Sequence, residues 1–275
     1  MTSERRWFVT GARSGLGAAI ARAALEAGDL VTASVRGPAA TAALPDSDRL
    51  RIVELDVTDE AGATAVVAEA GRIDVLVNAA GNGIFGAIEE LGDAEVRGQF
   101  EVNVFGLLNV TRAALPAMRE RCAGRIVNVG SAAGIAGEPG VGAYCAAKFA
   151  VAGITESLNR ELAGFGIEAM VVEPSGFRTN FLSDADAVLA DSPLDEYEGT
   201  PAGATRAWAA GGHGTQVGDP DRGAAVIYAA AVAEEMPEHL PLGADAVAAL
   251  EGKLESLRRD LGPWRERSLA TAFPE

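Results

Sequence analysis

The stretch Trp7-Phe8-Val9-Thr10-Gly11-Ala12-Arg13-Ser14-Gly15-Leu16-Gly17 decides the fold. Trp7 to Thr10 reads as a short buried strand. Three glycines then shape a tight turn, and Ala18 to Ala27 follows as a helical run ending at Gly28. Glycine lets a backbone come close to a pyrophosphate, and a helix N-terminus offers free N–H groups and the positive end of its dipole. The spacing is G-x-x-x-G-x-G rather than G-x-G-x-x-G. Taken alone, such a turn can be mere helix entry. Between a strand and a helix it reads as a cofactor turn, with Gly11, Arg13, Ser14, Gly15, Leu16 and Gly17 around the pyrophosphate.

Working outward, the same rhythm repeats. Leu30 to Val35, Leu50 to Leu55, Ile73 to Val77, Arg125 to Val129 and Ile167 to Val172 read as strands. Helical runs separate them: Asp59 to Ala70, with Thr58 as N-cap, and Glu95 to Glu120, with a kink or break expected at Pro116. Another helix, carrying Tyr144 and Lys148, runs on to Gly164. Strands alternating with helices predict an α/β fold, a Rossmann-type doubly wound parallel sheet with helices on both faces. Past Pro174 the chain turns irregular. Ser183 to Gly218 is rich in glycine and aromatics, and a segment that long predicts a lid or binding segment. Asp219 reads as an N-cap with Pro220 at the first helical position, opening a helix to about Ala233. Leu240 to Gly243 is a short last strand and Ala244 to Leu261 a final amphipathic helix. No repeat or linker interrupts 1–275, so a single domain is expected.

Composition narrows the function classes. Hydrophobic residues make up 48% and charged residues 23% of 275 residues, ordinary for a folded protein. The net charge of −16 argues against nucleic acid or an anionic membrane as partner, since both need a basic face. The two cysteines, Cys122 and Cys145, form no metal motif with the histidines, so no metal site is expected and a reducing cytoplasm is the expected compartment. Arg5-Arg6 leads straight into the first strand without a secretory apolar region, and no run is long enough to span a bilayer.

The chemistry concentrates elsewhere. Tyr144 and Lys148 stand four apart, on one helix face. A phenol titrates near ~10, and an ammonium beside it is expected to lower that value toward usefulness as a proton donor and acceptor. Ser131 follows the apolar run Ile126, Val127, Val129, at a strand end, where open α/β sheets hold their sites. The second strand ends in Ser34-Val35-Arg36. An Arg there suits a ribose 2′-phosphate, whereas a carboxylate would suit the free diol. The bland readings are a loop position for His213, a surface one for His239, packing for Cys145, and solvated faces for Glu89-Glu90 and Glu234-Glu235. Tyr197 and Trp208 either line a pocket or anchor the lid.

Together these residues resemble the short-chain dehydrogenase/reductase family, in its single-domain branch, over roughly Arg5 to Asn180. Thr10-Gly11-x-x-x-Gly15-x-Gly17 resembles the family's cofactor turn, Asp56-Val57 its adenine pocket, and Asn78-Ala79-Ala80-Gly81 its fourth-strand motif. Asn103, Ser131, Tyr144 and Lys148 resemble its catalytic tetrad. Pro174 and Thr179 resemble the segment holding the nicotinamide carboxamide, with Ser175 where the family usually has glycine. The wording Pro174-Ser175-Gly176-Phe177-Arg178-Thr179 is similar to the subgroup near the 17β-hydroxysteroid dehydrogenases. The resemblance implies an oxidoreductase that moves hydride between nicotinamide and a carbonyl or secondary alcohol of a small, apolar substrate. Ser131 would orient the carbonyl, Tyr144 exchange the proton, Lys148 hold the nicotinamide ribose, and Asn103 support a water chain to Lys148. It also implies a homodimer or homotetramer through the helices of Asn103 and Tyr144. With Arg36 and Arg13 flanking the phosphate, NADP(H) is expected ahead of NAD(H). The rival readings are a dinucleotide-sensing regulator without catalysis, and an isomerase or dehydratase of the broader family.

Overall fold

The buried side chains of the central strands alternate between two apolar clusters. In β1 (Arg6–Val9), Trp7 and Val9 enter one apolar cluster and Phe8 the opposite one. Successive side chains of a strand leave opposite faces, so a strand buried on both faces must be apolar throughout. The computed structural model describes residues 4–37, 43–183 and 187–273.

After β1 come α1 (Gly15–Glu26), β2 (Leu30–Val35), β3 (Leu50–Glu54), α2 (Glu60–Ala70), β4 (Val75–Asn78) and the short β5 (Gly83–Phe85). Then follow α3 (Asp93–Phe100), a π-helical segment Glu101–Gly106, α4 (Leu107–Arg121), β6 (Gly124–Val129), α5 (Gly142–Leu162) and β7 (Ile167–Pro174). The chain closes with β8 (Ala187–Leu189), α6 (Pro201–Gly211), α7 (Pro220–Ala231), β9 (His239–Leu242) and α8 (Ala244–Leu269). Seven strands form one parallel sheet in the order β3-β2-β1-β4-β6-β7-β9. The order reverses between β1 and β4, which opens a crevice at their C-terminal ends.

Helices cover both faces. Ile20 and Ala24 of α1 and Ala224 and Ile227 of α7 pack with Trp7, Val77, Val127 and Met170. Val67 of α2, Val110 and Met118 of α4, and Leu158 and Leu162 of α5 pack with Phe8, Leu76, Ile126 and Ile167. Truncating a fully buried residue such as Met170 or Ile227 to alanine would cost about 2–5 kcal/mol.

Several expectations need correction. Thr58 does not cap α2. Its hydroxyl and N–H both donate to Asp56, at 2.8 and 2.9 Å, and Asp59 takes the N-cap position. The helix is not broken at Pro116. Pro116 and Arg112, whose carbonyl loses its donor, both lie on the solvent face, so water can serve that carbonyl. The irregularity sits earlier, in the π-helical segment that holds Asn103. The described part of Ser183 to Gly218 is largely structured. β8 pairs in parallel with β5, and Thr200 caps α6 by accepting from the Gly203 N–H at 3.3 Å. Residues 184–186 of that stretch lie outside the described residues. α8 continues two turns beyond Leu261.

Glu90 is not on a solvated face. It is 2% exposed and pairs with Arg206 of α6. It also accepts from the Ala87 and Leu194 amides at 2.7 and 2.9 Å. Burial pushes this carboxyl up, but the two amides and Arg206 outweigh it and hold it below the usual range. Nor is His239 free on the surface: it is half-buried, its Nδ1 3.3 Å from the buried Glu173 and its Nε2 3.6 Å from Glu156. Cys145 is buried packing, as read.

Candidate active site

The site lies at the C-terminal ends of β1, β4, β6 and β7. Its first part is the turn into α1. Gly11 has φ +64°, and a Cβ there would lie 2.7 Å from the Ala80 backbone, so only glycine lets the turn nest against the loop after β4. Thr10 fixes the same contact, its hydroxyl accepting from the Ala79 and Ala80 amides at 3.0 and 3.1 Å. The Ala12 N–H bonds the Ser34 carbonyl at 3.1 Å, bringing the turn beside the end of β2. Gly15 has φ +59°, and a Cβ on it would meet the Thr179 side chain at 3.3 Å. Ser14 makes no side-chain cap, and the first turn of α1 carries no acidic residue. The opening N–H groups of α1 therefore lack an internal anionic partner, which is what a phosphate-binding helix end requires.

Around this turn stand the remaining residues of the sequence reading. Arg36 is exposed just past β2 and close enough to Asp56 to draw its carboxyl down. The hydrogen bonds from Thr58 are the larger cause of that shift. Arg13 is exposed on the turn and has an interaction of its own. Val57 is buried, and its carbonyl takes a hydrogen bond from Asn109 at 3.0 Å. The Asn78 amide is committed inward. It donates to Thr111 and Asn128 at 2.9 Å each and ties β4 to α4 and β6, while Ala79 and Gly81 carry the loop to the crevice. Pro174 ends β7 and is buried. Ser175 keeps a negative φ and turns its hydroxyl toward Gly243, where a Cβ would meet it at 2.3 Å. The backbone there does not need the family's glycine, and Gly243 supplies the room.

The second part is the tetrad. Ser131 is close enough to the Tyr144 phenol to draw its pKa down. Lys148 Nζ lies 5.6 Å from the Tyr144 ring centroid and donates to the Val129 carbonyl at 2.8 Å. The electrostatics of this pair overturn one expectation. Burial pushes the Tyr144 phenol up to about 12, although Ser131 pulls the other way, and burial lowers Lys148 to about 8. The ammonium is not the dominant influence on the phenol, because removing both groups from water disfavours both charged forms. At neutral pH Tyr144 therefore holds its proton and Lys148 is still mostly charged.

Asn103 is buried in the π-helical segment. Its Nδ2 donates to Asn82 Oδ1 at 2.7 Å, the Asn82 carbonyl at 3.1 Å and the Gln99 carbonyl at 2.9 Å. Its Oδ1 is buried without a partner. A Cβ on Gly81 would lie 2.8 Å from that oxygen and 3.6 Å from Lys148 Nζ, so Asn103 and Lys148 face the same backbone position. An orphaned acceptor beside an ammonium has the chemistry to take a bridging water.

Sequence reasoning missed five contributors. Gln99 and Asn82 hold Asn103, and no local pattern announces them. Glu90 and Arg206, 116 residues apart, fasten α6 in place. Gln216 lies beside Gly176 with both amide atoms buried and unpartnered. On the Tyr144 side the wall is apolar: Phe85, Val141, Leu182 and Ala209 pack with Phe181, whose ring centroid is 5.6 Å from that of Tyr144. Tyr197 anchors its segment, donating to Glu89 at 2.9 Å, while Trp208 is about half exposed. His213 is exposed. Among the described residues no cluster of His, Cys, Asp and Glu is placed to hold a metal, and no helix is long and apolar enough to cross a membrane.

Comparison with known proteins gives the family. The family description "short chain dehydrogenase" matches residues 5–188. The chain is 37% identical over 273 residues to oxidoreductase BOA17 of Botryotinia fuckeliana (strain B05.10), covering 97% of this chain and 98% of that protein. It is 38% identical over 157 residues to human 17-beta-hydroxysteroid dehydrogenase type 1, covering 56% of this chain and 48% of that protein. A short-chain dehydrogenase from Streptomyces avermitilis superposes with a TM-score of 0.89 at 42% identity, covering 99% of this chain and all of that one. One from Burkholderia cenocepacia J2315, in complex with NADP, gives 0.74 at 27% identity, over 94% and 98%. The chain is an oxidoreductase and belongs to the short-chain dehydrogenase/reductase family.

Proposed function

We propose that this chain is an NADP(H)-dependent ketoreductase or alcohol dehydrogenase for a small, apolar carbonyl or secondary alcohol. The observation that carries the reading is the Ser131–Tyr144–Lys148 cluster at the mouth of the crevice that the glycine turn enters. The residues present fit a dinucleotide. The uncapped start of α1 suits the pyrophosphate, Asp56 and Val57 the adenine, Thr179 and Pro174 the nicotinamide end, and Arg36 a 2′-phosphate. When bound, the dinucleotide supplies or accepts the hydride. Ser131 donates a hydrogen bond to the substrate oxygen and orients it. Tyr144, protonated at neutral pH, gives its proton to that oxygen during reduction and recovers it in the reverse direction. Lys148 stabilises the phenolate left behind, and a water between Lys148 and Asn103 relays the replacement proton. The charge developing on the oxygen is met by fixed donors.

The test is Tyr144→Phe, which keeps the ring and removes the proton. Positioned acid–base groups contribute roughly 10²–10⁴-fold. A screen of ketones and alcohols by absorbance of the reduced nicotinamide should find a substrate for the wild type. Turnover of that substrate should fall by at least a hundredfold in Tyr144→Phe, with NADPH binding intact. Near-normal turnover would remove Tyr144 from its role.

The segment from Ser183 to Gly218 serves as a lid on the apolar wall beside Tyr144. Its middle is fastened through Glu90, and the exposed residues His213, Gly214 and Thr215 follow α6. Limited proteolysis should cut there in the free enzyme and be slowed by cofactor with substrate. Equal cleavage with and without ligands counts against a lid.

A further inference from the structure

The last helix carries an apolar face that the described chain leaves about half exposed, with Arg267 lying over the Trp264 ring at 5.3 Å. Only Ala246 of α8 is buried. Val247, Leu250, Leu254, Leu257, Leu261 and Trp264 follow at alternating spacings of three and four. That alternation repeats every seven residues and lines all six along one stripe. The stripe spans 18 residues, roughly 27 Å at 1.5 Å per residue. Leu250 is half-buried, and the other five are 43–57% exposed. Gly262 and Pro263 fall on the side of the helix away from the stripe.

The charges beside the stripe indicate its occupant. Glu251, Arg258 and Arg265 flank one edge, and Lys253, Asp260 and Arg267 the other. We propose that this face pairs antiparallel with the same face of a second copy of the chain, Leu254 opposite the partner's Leu257. In that register Val247 meets the partner's Trp264 and Leu250 the partner's Leu261. Glu251 faces the partner's Arg258, Lys253 faces the partner's Asp260, and the two-fold axis repeats every contact. Sliding one heptad in one direction sets Arg258 and Asp260 each against its own copy, and Lys253 against Arg267. Sliding the other way sets Glu251 and Lys253 each against its own copy. Parallel pairing sets Lys253 against Arg258. Only the stated register is complementary at both edges. Such a contact is self-complementary and closes at two subunits. Within the chain Lys253 Nζ lies 5.6 Å from the Phe149 ring centroid, and Asp260 lies 3.4 Å from Arg259. Exposed rim pairs of this kind add little affinity. Their part is to select the register, while the leucines supply the association.

The experiment measures the mass of the full chain by light scattering and sedimentation across micromolar concentrations. Leu254→Glu with Leu257→Glu should halve the mass of the wild-type assembly with helicity unchanged. Lys253→Glu alone should weaken association about tenfold or more, and Lys253→Glu with Asp260→Lys should restore it. Within one chain these positions stand two helical turns apart, so only pairing between chains makes the second change compensate the first. Where the double glutamate variant loses helicity, the charge pair decides alone. A monomeric wild type, an unchanged mass in a folded double glutamate variant, or no recovery in the charge swap would each overturn the proposal.

Discussion

α1 and α7 lie side by side on one face of the sheet and begin in opposite ways. α7 starts with Asp219, whose Oδ1 accepts from the Asp221 and Arg222 amides at 2.9 and 3.3 Å, and with Pro220 at its first position. α1 starts with Ser14, which caps nothing, and has no acidic residue in its first turn. The α7 end is complete in itself, whereas the α1 end leaves room for an anion. The same contrast separates the crevice from the rest of the molecule. Lys148 is 5% exposed with one carbonyl for company, and Asn103 Oδ1 has no partner. On the proposed reading, function gathers where the chain leaves groups unsatisfied, and stability is lost at those places.

The strongest test of that contrast is Lys148→Met. Burial lowers Lys148 from 10.5 to about 8. At ~1.4 kcal/mol per unit this disfavours the folded state by roughly 3 kcal/mol at pH 7. Methionine also gives up the hydrogen bond to Val129, about 1 kcal/mol. The variant should therefore be more stable than wild type by roughly 2 kcal/mol at pH 7, while turnover is lost. A base with a depressed folded pKa binds fewer protons folded than unfolded. Stability of the wild type therefore rises with pH between about 8 and 10.5, and the variant's advantage disappears there. Denaturant melts at pH 7 and pH 10 check both signs. A variant less stable at pH 7 would show that Lys148 supports the fold.

The next test exchanges the two helix starts. Ser14→Asp gives α1 the carboxylate that α7 has. It should raise stability by about 1 kcal/mol. It should also weaken dinucleotide binding roughly tenfold to a hundredfold, because it competes for hydrogen bonds worth about 1.5–3 kcal/mol to a charged group. Asp219→Ala, the smallest effect, should lower stability by about 1 kcal/mol and leave binding alone. Equal binding losses in both variants would erase the distinction between the two ends.

How legible these regions were in the sequence follows from the range of the forces involved. The central strands were readable because burial on both faces makes them continuous apolar runs, as Trp7-Phe8-Val9 and Val75-Leu76-Val77 are. The glycine turn and the Tyr144–Lys148 spacing were readable because their geometry is local. α6 was hidden although Thr200-Pro201 carries the same kind of cap signal as Asp219-Pro220, since the surrounding glycines read as loop. The end of α8 was hidden because Gly262-Pro263 reads as a stop. Glu90 with Arg206, and Glu173 with His239, join residues far apart in the chain, so Glu90 and His239 alone looked like surface. The shift of Tyr144 was misjudged in direction for a related reason: spacing shows the neighbouring charge, while desolvation is a property of the assembled crevice.

The most direct measurement is a fluorescence titration of NADPH and NADH into the wild type and Arg36→Ala. The second strand ends without a carboxylate, and Arg36 offers a planar fork of donors there. The wild type should bind NADPH more tightly than NADH. Arg36→Ala should weaken NADPH roughly tenfold to a hundredfold, the equivalent of about 1.5–3 kcal/mol, and leave NADH nearly unchanged. A wild type that prefers NADH, or a variant that weakens both alike, would contradict the assignment of Arg36. A wild type that binds neither would contradict the account of the crevice as a whole.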